Sequence, residues 1–207
     1  MSNPWNEVPL DVYENHMGLS SVGQLQMLAS AMKEQFCCCC KGSVAIFGIA
    51  GGNGLEQIPL DRFSAIYGID VNPEYLEYCG KRYEAKFGGR LHLIHADLSD
   101  PSVELPAADA VIADLFVEYV GEDSFAMRID HMKPSFVSCV FQKNETCGFV
   151  SVSPYTKAFD PIESICHNVE GTRLDQLMQE VGYRRSSLKT YLLPNGKHFV
   201  RMDWLRM

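Results

Sequence analysis

The sequence contains no run of 18 consecutive apolar residues, the length from which a segment is read as a membrane-spanning helix. Its first residues also lack the cationic start and the apolar stretch of a secretory signal peptide. We therefore expect a cytoplasmic protein without a membrane partner. Positive charge is scarce as well, since 18 lysines and arginines stand against 26 aspartates and glutamates, a formal net charge of -8. Such a chain has no broad basic surface for phosphates, so we expect no nucleic-acid partner.

Paired cysteine spacing is also absent, although the chain has eight cysteines. Four of them are consecutive, at positions 37 to 40, and the others are scattered. Consecutive side chains point about 100° apart on a helix and to opposite faces on a strand, so four in a row cannot surround one tetrahedral ion. The sequence therefore predicts reduced thiols and no metal site.

Short apolar runs and helical patterns follow one another along the rest of the chain, without internal repeats. The apolar runs predict strands at residues 43–47, 65–70, 91–95, 108–113 and 136–141. Apolar spacings of three and four predict helices at residues 21–36, 73–87, 123–132 and 172–181. Asn72 and Pro73 supply a cap and a first helical residue for the second of these helices. Because strand and helix alternate throughout, the pattern indicates βαβ units and a parallel sheet.

The C-terminal part of the sequence breaks this alternation. Two β-rich runs, residues 186–193 and 197–205, flank Asn195-Gly196, which is a strong hairpin signal. A long irregular stretch, residues 144–171, precedes them. Loops of that length in a compact domain are usually functional, so we expect this one to act as a lid.

The predicted first strand runs directly into residues 48–54, where four of seven residues are glycine. Glycine permits positive φ angles and a close approach of a ligand to the backbone, so the turn is expected to bind a ligand. Three acids follow later strands: Asp70 ends the second, Asp97 lies just beyond the third and Asp114 closes the fourth.

The glycine turn, these acids and the terminal hairpin together resemble the class I S-adenosylmethionine-dependent methyltransferase family, from residue 43 to the C-terminus. The resemblance implies an α/β fold: a Rossmann-like, doubly wound, mostly parallel sheet of seven strands in the order 3-2-1-4-5-7-6, ending in an antiparallel hairpin. It also implies an N-terminal helical cap at residues 1–42 and a methyltransferase domain at residues 43–207.

The family's first motif is an acid followed by three glycines at alternate positions. Gly52 and Gly54 match the last two glycines, Ala50 stands at the first, and Gly48 stands where the family has its acid. The chain therefore lacks the carboxylate that the family directs at the methionine end of the cofactor. The other cofactor-binding residues that the resemblance implies are Asp70 with Val71 at the ribose, Asp97 and Leu98 at the adenine, and Asp114 beside the sulfonium.

The segment before the first strand resembles the cap of small-molecule methyltransferases at residues 12–17. We expect residues 9–17 to close over the cofactor and to touch the acceptor. Tyr13, His16 and Glu118 are the candidate catalytic residues. Residues 114–116 read Asp-Leu-Phe, which differs from the Asn/Asp-Pro-Pro-aromatic motif of nucleobase methyltransferases and disfavours such a substrate.

These features predict an enzyme, monomeric or homodimeric, that uses S-adenosylmethionine to methylate an O, N or C atom of a small molecule and releases S-adenosylhomocysteine. Two alternatives stay open. The chain could be a methyltransferase-fold module that binds a nucleoside without turnover, a reading favoured by the missing acid at Gly48. It could also be a nicotinamide-dependent or aminopropyl-transfer enzyme on a similar sheet, because glycine turns follow strands in many α/β folds.

Overall fold

The structure, a computed structural model, describes residues 3–39, 41–143 and 148–207. Seven strands form one sheet in the order β3-β2-β1-β4-β5-β7-β6, as the family resemblance implied. The strands are β1 (Gly42–Phe47), β2 (Phe63–Asp70), β3 (Leu91–His95), β4 (Ala110–Asp114), β5 (Phe136–Lys143), β6 (Tyr183–Leu192) and β7 (His198–Arg206). The pairs among β1 to β5 are parallel, whereas β7 runs antiparallel to both β5 and β6.

Helices cover both faces of the sheet. The helices are α1 (Leu10–Gly18), α2 (Gln24–Cys38), α3 (Pro73–Phe87), α4 (Val117–Val120), α5 (Glu122–Met132) and α6 (Gly171–Glu180). Successive side chains of β1 point to opposite faces. Val44 and Ile46 therefore pack in a core with α2 and α3, while Ala45 and Phe47 pack in a second core with α4, α5 and α6. This alternation explains why β1 is a short, continuous apolar run.

The start of α3 shows the predicted local chemistry. The Asn72 side chain accepts hydrogen bonds from the backbone N–H groups of Glu74 and Tyr75, and Pro73 occupies the first helical position. Both features satisfy or remove backbone donors that the first helical turn leaves unpaired. Only two residues, Val71 and Asn72, consequently separate the end of β2 from the start of this helix.

The expectation that strand and helix alternate throughout is wrong at two crossovers. Between β1 and β2 the chain forms only a 3₁₀ turn, Leu55–Gln57, and between β3 and β4 it forms turns without a helix. The helix that precedes β1 covers the sheet at the first of these places, because Met32 and Phe36 of α2 pack with Leu55 in the same core as β1. Burying the sheet requires an apolar helix face, whichever part of the chain provides it.

The antiparallel hairpin is confirmed, and its turn has one residue more than a two-residue loop. The Gly196 N–H donates to the Leu193 carbonyl, and the Leu193 N–H donates to the Lys197 carbonyl. Gly196 has a φ of +81°, so its lack of a Cβ makes this turn possible. A type I turn followed by a residue in the left-handed region is the usual three-residue hairpin connection.

The segment predicted to be a lid is only partly within the described residues. Its first four residues, 144–147, lie outside them, as do Cys40 and Cys147 of the predicted reduced thiols. The described remainder contains a 3₁₀ helix, Thr156–Ile165, whose Phe159 and Ile162 are buried. Its role as a lid stays a prediction, as does the domain boundary at residue 42. No helix in the described part of the chain combines the length and apolarity needed to cross a bilayer.

Replacing Gly54 with alanine tests the packing between α2 and the glycine turn. Gly54 has a φ of +95°, and a Cβ there would overlap Met32 Sδ. We expect Gly54→Ala to lower the free energy of unfolding by about 1–3 kcal/mol. Gly182→Ala is the matched control, because Gly182 has a similar φ of +92° and nothing lies within 4 Å of its Cβ position, so it carries the backbone strain without the overlap and should be less destabilising than Gly54→Ala. Equal effects of the two variants in urea denaturation would contradict this packing.

Candidate functional site

A cavity of about 160 Å³ lies where β1 pairs with β2 on one side and with β4 on the other. Ligands of doubly wound sheets bind beyond the carboxyl ends of the strands at this switch point. The structure brings seven of the nine predicted cofactor residues to the cavity wall: Gly48, Ala50, Asp70, Val71, Asp97, Leu98 and Asp114. Of the candidate catalytic residues, Tyr13 also lines it.

The other two predicted cofactor residues, Gly52 and Gly54, lie in the glycine turn and contact side chains of the neighbouring helices. A Cβ on Gly52 would meet Tyr83 and Cys79 of α3, and one on Gly54 would meet Met32 of α2. These contacts show that both positions are glycine because neighbouring side chains leave no room for a side chain. Ala50, which lines the cavity, adopts a φ of +48° that is uncommon for a residue with a side chain.

Asp70 connects the glycine turn to the start of α3. One carboxylate oxygen accepts the N–H of Ala50 at 2.8 Å, and the other accepts the N–H of Asn72 at 2.9 Å. Burial raises the pKa of Asp70 to about 6, although these backbone hydrogen bonds oppose the shift. A carboxylate has about four acceptor sites, so Asp70 keeps hydrogen-bonding capacity for a ligand in the cavity.

The segment before α1 closes the cavity through hydrogen bonds that local sequence patterns did not reveal. Asn3 Nδ2 donates to Asp97 Oδ2 at 3.1 Å, Asn72 Nδ2 donates to the Trp5 carbonyl at 3.0 Å, and Tyr75 Oη donates to the Val8 carbonyl at 2.7 Å. Sequence reasoning assigned no site role to Asn3, Trp5 or Tyr75. The one local signal was Asn3 before Pro4, since Asn3 caps the short 3₁₀ helix that carries Trp5.

Helix α1 lies against the glycine turn. Glu14 accepts hydrogen bonds from Asn53 Nδ2 and Arg82 Nη1, both at 2.7 Å, and Arg82 also donates to the Gly51 carbonyl. On the cavity side of the helix, Tyr13 packs edge-on against Trp5, which packs edge-on against Tyr119 with ring centroids 4.8 Å apart. The predicted cap segment thus contributes Trp5 and Tyr13 to an aromatic wall of the cavity, which Tyr119 completes.

Two smaller cavities, each of about 40 Å³, adjoin the main one and share Tyr13 with it. The second cavity is lined by His16, Gln24 and Gln142 together with aromatic side chains. His16 Nδ1 lies 2.7 Å from Ser153 Oγ, and burial together with the charge of Lys197 lowers the pKa of His16. The third cavity lies between Gly48, Asn53 and Asp114 on one side and apolar side chains of α2 on the other.

Two carboxyl groups near these cavities, the half-buried Asp114 and the buried Glu118, are incompletely hydrogen-bonded. Asp114 Oδ1 accepts from Gln35 Nε2, and Glu118 Oε1 accepts from the Gln142 N–H, each at 2.7 Å. The second oxygen of each has no hydrogen-bond partner among the described residues. Burial raises the pKa of Asp114 to about 7 and that of Glu118 to about 8. Glu118 is fully buried and lines none of the three cavities.

The charged side chains of the described residues that line the main cavity are all acidic. Asp70, Asp97 and Asp114 line it, whereas no lysine, arginine or histidine of the described chain does. A cavity of this kind attracts a cationic ligand and repels a diphosphate. Within the same described residues, no three histidine, cysteine, aspartate or glutamate side chains are grouped so as to hold a metal ion.

No protein-family model matches the sequence, and no curated protein matches it. Solved structures do resemble the fold. A methyltransferase from Leishmania major that depends on S-adenosylmethionine has a TM-score of 0.71 and 12% identity, covering 98% of this chain and 80% of that one. Magnesium protoporphyrin IX methyltransferase from Synechocystis PCC 6803, with bound S-adenosylhomocysteine, has a TM-score of 0.70 and 11% identity, covering 95% and 93%.

A third similar structure is the 4+2 cyclase SpnF, with a TM-score of 0.65 and 10% identity, covering 87% of this chain and 80% of that one. At such low identities the likeness concerns the fold alone. The chain has the fold of the class I S-adenosylmethionine-dependent methyltransferases, as the resemblance of its motifs implied.

The burial of Glu118 leads to a prediction about how the free energy of unfolding depends on pH. Its carboxyl group keeps its proton up to a pH of about 8 in the folded protein and, with a reference pKa of 4.5, loses it earlier in the unfolded chain. Between these values the folded state binds more protons, so the free energy of unfolding falls as pH rises, by up to about 1.4 kcal/mol per pH unit. Glu118→Gln removes this contribution, so its stability relative to wild type should increase from about pH 5 to about pH 8.

Urea denaturation across this pH range measures the effect. Glu104→Gln is the control, because Glu104 is exposed and its variant should follow the wild-type pH profile. Parallel profiles for wild type and Glu118→Gln would show that the Glu118 carboxyl is not protonated in the folded protein.

Proposed function

We propose that the protein is an S-adenosylmethionine-dependent methyltransferase that methylates an O, N or C atom of a small molecule in the cytoplasm. The observation that carries this proposal is the acidic cavity at the switch point, lined by three aspartates and without a basic side chain among the described residues. The cofactor carries a sulfonium, an ammonium and one carboxylate at neutral pH, so its net positive charge suits this cavity. We further propose that it is a monomer or homodimer and that it has no nucleic-acid partner, and the net charge of -8 agrees with the second point.

The residues at the cavity fit the parts of this cofactor. We assign the ribose hydroxyls to Asp70, whose two oxygens keep acceptor capacity, and the adenine to Asp97, Leu98 and Val71. Asp114 belongs at the methionine end, because one of its oxygens is buried without a partner. A ligand donor at that oxygen would remove the cost of an unsatisfied buried acceptor.

A nicotinamide dinucleotide fits the cavity less well. Dinucleotide folds place the diphosphate at the N-terminus of the helix that follows the glycine turn. Here the turn is followed by the three-residue 3₁₀ turn Leu55–Gln57, which provides no comparable helix dipole. The three aspartates that line the cavity would also repel the negatively charged diphosphate.

The bound cofactor supplies an electrophilic methyl group, and the protein has to align the acceptor and exclude water. The aromatic wall of Trp5, Tyr13 and Tyr119 separates the main cavity from the second one and shields both. We place the acceptor in the second cavity. There His16, with its pKa lowered by burial, is uncharged at neutral pH and can take a proton from the acceptor. Glu118, which reaches no cavity, acts as a positioning residue through the Gln142 backbone.

A second candidate is a binding module or an enzyme of this fold that does not transfer methyl groups. The glycine at position 48, where the family has an acid, favours it. SpnF is described as a cyclase, so a similar fold carries out other chemistry in that protein. Binding of the cofactor without methylation of any acceptor would support this candidate.

Calorimetric titration with S-adenosylmethionine, S-adenosylhomocysteine and NAD tests the cofactor. We expect binding of both sulfur nucleosides and none of NAD. Asp70→Ala should weaken the binding of S-adenosylhomocysteine by about 1–3 kcal/mol, because two ribose hydroxyls lose a charged acceptor. The exposed Asp61 provides the control, since Asp61→Ala removes the same charge away from the cavity. An unchanged dissociation constant in a folded Asp70→Ala variant would refute the ribose assignment.

The His16→Ala variant tests whether the second cavity, where we place the acceptor, has a different role from the main cavity, where we place the cofactor. Of the three cavities described, His16 lines the second and not the main one, so the variant should bind S-adenosylhomocysteine within about twofold of wild type. Once an acceptor is identified, its methylation should slow by roughly 10²–10⁴-fold and lose the acid limb of its pH–rate profile, if the imidazole takes the proton. A fully active variant would show that His16 has a structural role, in packing against Phe159, and takes no proton from the acceptor.

A further inference from the structure

The Asp97 carboxylate accepts three hydrogen bonds from the chain itself. Its Oδ1 accepts the N–H of Ser99 at 2.9 Å and the Ser99 hydroxyl at 2.6 Å, and its Oδ2 accepts Asn3 Nδ2 at 3.1 Å. Each oxygen of a carboxylate has about two acceptor sites, so Ser99 saturates Oδ1. A ligand donor at Asp97 therefore has to approach Oδ2, the oxygen that Asn3 occupies.

The Asn3 side chain is oriented so that its amide nitrogen faces this oxygen. Asn3 Oδ1 accepts the Trp5 N–H at 3.1 Å and caps the short 3₁₀ helix, which leaves Nδ2 to donate to Asp97. A carboxamide NH₂ group is uncharged and carries two N–H donors, as does the exocyclic amino group of adenine. Asn3 and Asp97 both line the main cavity. The Asn3 amide thus presents to Asp97 the same kind of donor that an adenine would present.

The segment that carries Asn3 is held mostly by polar contacts. We call residues 3–8 the N-terminal strap. No residue of its 3₁₀ helix is buried, and the strap is fixed further along by hydrogen bonds from Asn72 Nδ2 to the Trp5 carbonyl and from Tyr75 Oη to the Val8 carbonyl. Val8 itself is buried. A segment that buries few apolar side chains opens at a lower free-energy cost than the core, so the start of the strap can separate from the cavity while Val8 stays in place.

We propose that Asn3 is an intramolecular competitor of the nucleoside: its amide occupies Asp97 Oδ2 in the free protein, and the base displaces it when the cofactor binds. The inference rests on the proposed function, which places adenine at Asp97, and adds to it a way in which the same site is regulated. Each binding event exchanges one N–H donor for another at Oδ2. The apparent affinity for the cofactor is therefore lower than an unoccupied Asp97 would give.

Asn3→Ser tests the competition. Serine is as good a helix cap as asparagine, and its hydroxyl lies one bond nearer the backbone, too far from Asp97 Oδ2 to replace the amide. We expect the dissociation constant of S-adenosylhomocysteine, measured by calorimetric titration, to fall roughly 3- to 10-fold. Glu7→Gln is the control in the same 3₁₀ helix, because Glu7 is exposed, and it should leave the constant within about twofold of wild type.

A double-mutant cycle with Asp97→Ala separates the contact from the rest of the strap. Asp97→Ala removes the oxygen for which Asn3 and the base compete, so it should weaken binding on its own, and adding Asn3→Ser to it should change the dissociation constant less than about twofold. Thermal unfolding of each variant establishes that it is folded before titration.

Three results would overturn the competition while leaving the cofactor proposal in place. An unchanged dissociation constant in Asn3→Ser would show that the amide does not compete with the base, and weaker binding would show that Asn3 helps to hold it. An equal gain with and without the Asp97 carboxylate would show that the effect arises elsewhere in the strap. Failure of the wild-type protein to bind S-adenosylhomocysteine would overturn both proposals.

Discussion

The site depends on the hydrogen bonds that Asp70 accepts from two separate segments of backbone. Ala50 belongs to the glycine turn after β1, and Asn72 begins the crossover into α3. The carboxylate holds these segments at a fixed separation and satisfies two buried N–H groups, which would otherwise cost roughly 1–3 kcal/mol each. Asn72, fixed in this way, caps α3 and holds the Trp5 carbonyl. The glycine turn, the start of α3 and the segment that carries Trp5 all border the cavity, and their positions therefore depend on the Asp70 side chain.

The second constraint on the molecule is the presence of three acidic side chains whose surroundings disfavour their charged form. Asp70, Asp114 and Glu118 have pKa values raised by burial to about 6, 7 and 8, so at neutral pH Glu118 keeps its proton whereas Asp70 is mainly ionised. Asp114 is kept in the site by the chain of Gln35, Ser138 and Asp203, which ends at the fully buried Arg201. A binding site of this kind is built at a cost in stability, and a cationic ligand offsets that cost when it binds.

Most of the fold follows from local patterns that the sequence displays. The strand runs, the Asn72-Pro73 start of α3 and the Asn195-Gly196 hairpin have local chemical causes, and these predictions were confirmed. The missing crossover helix between β1 and β2 was not foreseen, because α2 takes its place in the core and a contact between segments so far apart leaves no local pattern. The acids of the site could be predicted because each follows a strand. Asn3, Trp5 and Tyr75 could not, since their roles arise from long-range hydrogen bonds.

The account's central claim is that the cavity at the switch point holds an adenosyl sulfur nucleoside between the acids of three strands. A crystal structure of the protein with S-adenosylhomocysteine tests this most directly. We predict electron density for the adenosine in the main cavity, with the ribose hydroxyls within about 3 Å of the Asp70 carboxylate oxygens. Density for the nucleoside elsewhere, or none at a saturating concentration, would contradict the account.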